Sequence, residues 1–451
     1  MLTKEKIQPK DVVPVISRHM LADGYTDIVV DLERSKGSYI YDSLNNRNLL
    51  DFFSFFATYP VGYNHPKLKE PELVKKLARA AEIKPSNSDF YTIEMAEFVD
   101  AFYRICAPKG LPHLFLIDGG GLAIENALKV AFDWKIRKNI ERGLTGKDDD
   151  EKEKFGTKVM HFKEAFHGRT GYTMSLTNTA DPKKYMYFAK FDWPRFPNPK
   201  LRFPVTAEEL KRVEKEEKET ILLMENYLKA NPHSSCAIII EPIQGEGGDN
   251  HFRTEFFKEL RRLADEHELL LIFDEVQAGI GLTGKMWAYQ HHGVEPDILC
   301  FGKKTQVCGI CASDRIKEVA DNCFDLKSRL NSSWGGNLVD MIRAARMFEI
   351  IEEENLVENA RVMGEKLVKG FEELKKKYPD KVSNVRGKGL FCAFDLPTTK
   401  QRDDYLTKLR HNNFIGLASG HTGVRFRPHL DIDEKIVNEA LAVLDKTLKE
   451  I

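Results

Sequence analysis

Two adjacent lysines, Lys303 and Lys304, close the apolar run in "PDILCFGKKTQVCG". An amine at the end of a buried strand loses part of its basicity and can attack a carbonyl carbon. Each lysine lowers the pKa of the other, and on the residues alone either one qualifies. Upstream, "LLLIFDEVQAG" ends a second apolar run on Asp274. A carboxylate there needs a cationic partner, because an unpaired buried charge is costly. A helix cap or structural ion pair would satisfy it, as would a protonated ring nitrogen or a metal. "DGGGLAIENALK" puts Gly119, Gly120 and Gly121 at the mouth of a helix. Bare backbone N–H groups at a helix start suit a phosphate, although a tight turn would use the same residues. "AFHGRTGY" carries Phe166, His167 and Arg169 within four residues. Those side chains can stack on a ring and fork onto a carboxylate.

Taken together, a phosphate cradle, a stacking surface, a buried acid and an amine suggest pyridoxal phosphate. Its aldehyde needs a lysine Schiff base and its ring nitrogen an acidic partner. Neither G-x-G-x-x-G nor G-x-x-x-x-G-K-[ST] occurs in the chain, which disfavours a dinucleotide oxidoreductase or a nucleoside triphosphatase.

The elements that must position these groups show in the hydrophobic texture. From Leu114 onward short apolar runs alternate with helical segments. "LFLID", "KVMHF", "CAIIIEPIQG", "LLLIFDEV" and "DILCFG" are the expected strands, the last of them after one more helix-length segment. That alternation predicts a mainly parallel sheet covered on both faces. Ligands of such sheets bind beyond the carboxyl ends of the strands, where Asp118, His167, Glu241, Asp274 and Lys303 all fall. Before this block, residues 26–56 read as a short meander, followed by amphipathic helices at "PELVKKLARAA" and "TIEMAEFVDAFYRIC". After it, long helices and a mixed tail ending in "GVRFRPHLDID" read as a smaller α+β domain. The expected division is an N-terminal segment 1–65 that joins the small domain, a large cofactor-binding domain 66–338, and a C-terminal small domain 339–451. The charged run "GKDDDEKEKFGTK" reads as a solvated loop, and Glu208 to Glu219 as the solvated face of a helix.

Bulk properties limit the partners. The chain has 451 residues, with 68 Lys and Arg against 69 Asp and Glu. No global basic excess points to nucleic acid or to an anionic membrane. No run of about 18 apolar residues predicts a transmembrane helix, and the N-terminus does not read as a signal peptide. The seven cysteines, an odd number in apolar runs, are expected to be reduced in a cytoplasmic protein. Cys308 and Cys311 form a C-x-x-C without a second pair, which reads as packing, not zinc. No metal is expected, and Trp334 reads as packing.

From "GYNHP" near Asn64 to "VRFRPHL" near Arg425 the chain resembles the class III aminotransferases of the type I pyridoxal phosphate fold. The specific part is Asp274-Glu275-Val276-Gln277-Ala278-Gly279, then Asp297, then Gly302-Lys303. The resemblance implies a homodimer with its active site at the interface. It selects Lys303, six residues after Asp297, as the Schiff-base lysine and proton carrier, leaving Lys304 as helper or bystander. It implies that Asp274 pairs with the ring nitrogen, Gln277 contacts the ring hydroxyl, Phe166 stacks with His167 beside it, and Gly120 and Gly121 donate to the phosphate. Ser333 in "NSSWGGN" would reach the phosphate of the neighbouring subunit.

Gly-Gly-Gly-Leu stands where most members have Ser-Gly-Thr-Glu. With "FGKKTQVCG" and "NSSWGGNL", it resembles the branch that moves the terminal amine of L-lysine to 2-oxoglutarate. That reaction gives 2-aminoadipate 6-semialdehyde, which cyclises, and glutamate. By the same resemblance, Arg169 would clamp the distal carboxylate with Asn331, and Arg425 the proximal carboxylate of 2-oxoglutarate. Glu246 would cover Arg425 while lysine is bound and swing away when the oxo acid enters. Arg427 shares a strand face with Arg425 by period two, and family spacing alone prefers Arg425. Glu241 reads as a buttress for an arginine or a loop backbone. Ornithine, 4-aminobutyrate or acetylornithine as substrate would keep nearly every residue named. A non-catalytic pyridoxal phosphate-binding regulator would need a DNA-binding module, and no segment reads as one.

Overall fold

The computed structural model describes residues 6–145 and 155–451. Most of the expected charged loop before Thr157 lies outside the described residues. The centre is a seven-stranded sheet in the order His113–Ile117, Cys308–Ala312, Ile298–Phe301, Leu270–Asp274, Ser235–Ile240, Lys158–Phe162 and Arg195–Phe196. Alternate side chains of these strands point to opposite faces, and both faces are buried. Ile239, Ile272, Cys300 and Ile310 pack on one side with Ala123, Ala127 and Ala131 of the helix Gly120–Glu141. Ile240, Phe273, Leu299 and Phe301 join the larger core on the other side. Small alanines on the helix let it lie close to the sheet, which brings its first turn to the strand ends.

Two features depart from the expected sheet. Cys308–Ala312 runs antiparallel to both neighbours. The pattern "VCGICA" forms this strand because both cysteines are small buried side chains, so the packing reading of C-x-x-C agrees with the geometry. Leu270–Asp274 and Ile298–Phe301 are paired in parallel, but their connection holds turns and the single 3-10 turn Ala288–His291, not the expected helix. Glu275 organises that connection. Its buried carboxylate accepts the backbone N–H groups of Ala288 and Tyr289 at 2.9 and 2.7 Å, doing the work of a helix cap where no helix forms.

The meander forms as Val30–Lys36, Tyr39–Asp42 and Arg47–Asp51, and Phe414–Ile415 from the far end of the chain adds in parallel to its last strand. A second four-stranded antiparallel sheet contains Ser383–Lys388, Phe391–Asp395, Gly423–Phe426 and Leu417–Ser419. Helices Leu338–Glu353, Leu356–Lys377, Thr399–His411 and Glu434–Lys449 accompany these strands. Among the described residues no helix is long and apolar enough to cross a membrane, no cluster could hold a metal, and all seven cysteines are free and buried.

Candidate active site

The carboxyl ends of the parallel strands open on a cleft of about 510 Å³ whose lining includes Gly120, Gly121, Phe166, His167, Asp274 and Lys303. Gln277 and Glu246 also face it. Arg425 does not line it but reaches Glu246 and Gln277 from behind.

Lys303 follows the Ile298–Phe301 strand and adopts a left-handed φ of 54°. Its Nζ makes no hydrogen bond among the described residues. Burial, then the charge of Arg425, pushes its pKa down to about 8, against the opposing pull of Asp274 and Glu241. The amine is therefore far more available near neutral pH than an ordinary lysine.

Lys304 is its opposite. Its Nζ donates to the carbonyls of Gln277 at 2.7 Å and Ala57 at 3.3 Å. The second contact holds a strained turn. Ser54, Phe55, Phe56 and Ala57 all have positive φ, between 40° and 62°, a conformation costing roughly 1–2 kcal/mol per residue. Asp51 accepts the N–H groups of Phe53 and Ser54 at the start of that turn, and Lys304 ties down its end. Of the expected mutual lowering one direction holds: burial, then the charge of Lys303, pushes Lys304 well below the usual lysine range, whereas burial and Arg425 are the leading influences on Lys303, and the Lys304 amine is committed to backbone carbonyls.

Asp274 receives the Val276 N–H on Oδ1 at 3.1 Å, and its Oδ2 lies 2.8 Å from His167 Nδ1. Both residues are buried. The other ring nitrogen, His167 Nε2, is buried and has no partner among the described residues. His167 is thus a direct partner of the acid, not merely a neighbour of Phe166. The backbone N–H of Phe166 donates to Glu241 Oε1, and that of Gly245 donates to Glu241 Oε2. Among the described residues Glu241 buttresses loop backbone and no arginine. Its pKa is raised, mainly by burial and further by Asp274, while His167 pulls it down.

The first turn of Gly120–Glu141 has the tight geometry its glycines suggested. A Cβ on Gly120 would come within 2.9 Å of Val276, and one on Gly121 within 3.3 Å of Thr170. Gly119, with φ of 98°, turns the chain into the helix. The donor set fits pyridoxal phosphate: a free amine, a buried carboxylate across the cleft, an aromatic wall, and the bare start of a 22-residue helix.

The two arginines of the Gly423–Phe426 strand and its extension are both buried, so neither is a surface residue. Arg427 is held by Asp249 at 2.7 Å, by Gln277 Oε1, and over the face of Phe391. Arg425 donates to Glu246 Oε2 at 2.5 Å and to Gln277 Oε1 at 3.3 Å. Gln277 therefore spends its carbonyl oxygen on both arginines. Glu246 sits in a glycine-rich loop, because Cβ atoms on Gly245 and Gly247 would strike Gln277 and the Glu164 carbonyl. Its other oxygen is bonded to Lys184. Burial raises the carboxyl pKa of Glu246, but Arg425 and Lys184 more than offset this and leave it lowered.

Some expected residues are not brought to the cleft. Arg169, Asn331 and Ser333 are exposed and do not line it. Trp334 is 49% exposed with Lys84 over its ring, so it is not the packing residue expected. Sequence reasoning missed Lys184 and Asp249, whose partners lie 62 and 178 residues away. It also missed Gln306, which donates to the carbonyls of Thr58 and Lys303 and so braces the lysine turn.

Comparison with known proteins agrees with this arrangement. The model of the aminotransferase class-III family matches residues 20–448. An L-lysine-epsilon aminotransferase of Mycobacterium tuberculosis strain H37Rv is 48% identical over 441 residues, covering 98% of this chain and 96% of that protein. A solved structure of a lysine aminotransferase from M. tuberculosis, in the internal aldimine form, superposes with a TM-score of 0.94 at 47% identity, covering 98% of this chain and all of that one. A 4-aminobutyrate aminotransferase of Emericella nidulans is more distant, at 33% identity over 98% of this chain and 88% of that protein. With a cleft built on an unpaired lysine and a buried aspartate, and a family match across nearly its whole length, the chain belongs to the class-III aminotransferases.

Proposed function

We propose that the protein transfers the terminal amino group of L-lysine to 2-oxoglutarate. The observation that carries this reading is the Glu246–Arg425 pair beside the cleft that holds Lys303. A donor entering by its distal amine brings no carboxylate to the reacting carbon, so an uncovered buried arginine would be left unpaired, at a cost of several kcal/mol. Glu246 removes that cost. When 2-oxoglutarate follows, its proximal carboxylate replaces Glu246 on Arg425. The greater likeness to lysine-epsilon aminotransferases than to a 4-aminobutyrate enzyme supports lysine over 4-aminobutyrate.

Pyridoxal phosphate, when bound, supplies the aldehyde that takes up the amino group and a ring that withdraws electrons. Lys303 would be the amine that holds the aldehyde, and its Nζ would be the group that carries the proton. Asp274 would face the ring nitrogen, with His167 orienting the carboxylate through Oδ2. Phe166 would cover a ring face, Gly120 and Gly121 would hold the phosphate through backbone N–H groups, and the Gln277 side-chain amide NH2 would be left for the ring hydroxyl.

We also assign residues 66–338 to a cofactor-binding domain, and 1–65 with 339–451 to a smaller one, a division supported by the pairing of Phe414–Ile415 with the N-terminal meander. A cytoplasmic homodimer is part of the proposal. The exposure of Arg169, Asn331 and Ser333 supports it, because in a dimer Ser333 would serve the neighbouring phosphate and the other two would line the completed substrate pocket. The test is to incubate the holoenzyme with 2-oxoglutarate and, in turn, L-lysine, ornithine, 4-aminobutyrate and acetylornithine. Glutamate and a cyclised semialdehyde form fastest from lysine. Faster turnover of another amine overturns the substrate assignment.

A further inference from the structure

Glu246 is bound on two sides, and the proposed substrate exchange uses only one of them. Arg425 holds Oε2 at 2.5 Å, and Lys184 bonds Oε1. The two cations differ in mobility. Arg425 projects from a sheet strand, is 2% exposed, and is also tied to Gln277. Lys184 ends the 3-10 turn Pro182–Lys184, which Asp181 caps at the surface, and its side chain is 21% exposed. A lysine on a flexible four-carbon stem can follow a moving carboxylate, whereas a guanidinium fixed in a strand cannot.

We propose that Lys184 is a positioning residue, the counter-ion that travels with Glu246 when that carboxylate leaves Arg425. The inference rests on the proposed exchange of Glu246 for a substrate carboxylate. While Glu246 covers Arg425 its charge has two partners, and the loss of Lys184 leaves it compensated. Once a dicarboxylate occupies Arg425, Lys184 is the sole partner, and without it a half-buried carboxylate stands alone beside an incoming anion. Lys184 therefore favours the open position, and with it the oxo acid half of the reaction, without touching the reacting carbon.

Binding of glutarate, an unreactive dicarboxylate of the same length as 2-oxoglutarate, to the holoenzyme is measured by calorimetry. Lys184→Met weakens glutarate about fivefold, in the range for a partly exposed ion pair. Lys184→Arg restores most of the affinity. In a Glu246→Gln background, where there is no carboxylate to escort, Lys184→Met changes the affinity less than about twofold by the logic of a double-mutant cycle. Tighter glutarate binding in Lys184→Met would show that Lys184 latches the closed position, and this overturns the proposal. An equal loss in the Glu246→Gln background would show plain attraction of the anion, which also overturns it. Absence of saturable glutarate binding by the unaltered holoenzyme overturns the functional reading itself. Binding that Lys184→Met leaves unchanged overturns only the role of Lys184.

Discussion

Lys303 and Lys304 are neighbours in the chain, as Arg425 and Arg427 nearly are, and in each pair one polar group is locked while the other is left for use. Lys304 spends its amine on two backbone carbonyls, and Lys303 has no hydrogen-bond partner for Nζ among the described residues. Arg427 is held by a buried aspartate, a glutamine and a phenyl face. Arg425 is held by Gln277 and by a glutamate on a glycine loop, shared with a surface lysine. The locked member keeps the backbone in place, and the free member is kept out of permanent pairs so that a ligand can complete it. A buried charge with every bond satisfied stabilises the fold and does no chemistry. A buried charge with a replaceable partner costs stability and supplies it.

The contrast breaks most sharply at the lysines. Lys303→Ala lowers transamination by about 10⁴-fold or more, as removal of a nucleophile that acts with its neighbours generally does, while the fold is retained in circular dichroism. Lys304→Ala acts on stability instead. It leaves two buried carbonyls without a donor and frees a strained turn, for a loss of about 2–3 kcal/mol in denaturant unfolding. A Lys304→Ala variant of unchanged stability would remove the locked half of the comparison.

The arginines sharpen it. Arg427→Met strands Asp249 in the core and costs about 3–5 kcal/mol of stability. Arg425→Lys is milder for the fold and raises KM for 2-oxoglutarate about tenfold or more, because an ammonium cannot reproduce a forked carboxylate contact. With Glu246→Ala, single-turnover measurements show the lysine half-reaction slowed about tenfold and the 2-oxoglutarate half-reaction affected less. An unaffected lysine half-reaction would remove the covering role of Glu246.

The smallest effect is on pH. Lys303 has its pKa lowered from 10.5 to about 8, so its neutral, nucleophilic form dominates above about 8. Capture of pyridoxal phosphate by cofactor-free protein, followed by absorbance, should rise about tenfold per pH unit below that point and level above it. A rate still climbing toward 10.5 would mean that burial and Arg425 do not depress the amine. The same shift has a stability sign. A protonated Lys303 disfavours the cofactor-free fold below about pH 8, and that penalty is relieved as pH rises from 8 toward 10.5.

The sequence made the cleft legible because strand ends are a local pattern. Apolar runs ending in Asp274, Glu241 and Lys303 marked where the carboxyl edge of a parallel sheet would lie, and the cleft lies there. Spacing alone did not separate Lys303 from Lys304, because their difference is set by where Gln277 and the turn at Ala57 fall in space. The partners of Glu246 were legible only in part. Arg425 follows it by 179 residues and Lys184 precedes it by 62, and no motif marks "DPKKY". The missing helix between Asp274 and Ile298 was hidden for a related reason. Glu275 satisfies that connection through side-chain-to-backbone bonds, which have no periodicity to read.

The central claim is that the distal amine of lysine, not the amine beside its carboxylate, passes to 2-oxoglutarate. L-lysine carrying nitrogen-15 only at the terminal amine, turned over by the holoenzyme with unlabelled 2-oxoglutarate, tests it directly. The account predicts labelled glutamate in step with the cyclised semialdehyde. Unlabelled glutamate, with the nitrogen-15 retained in the product from lysine, would contradict it.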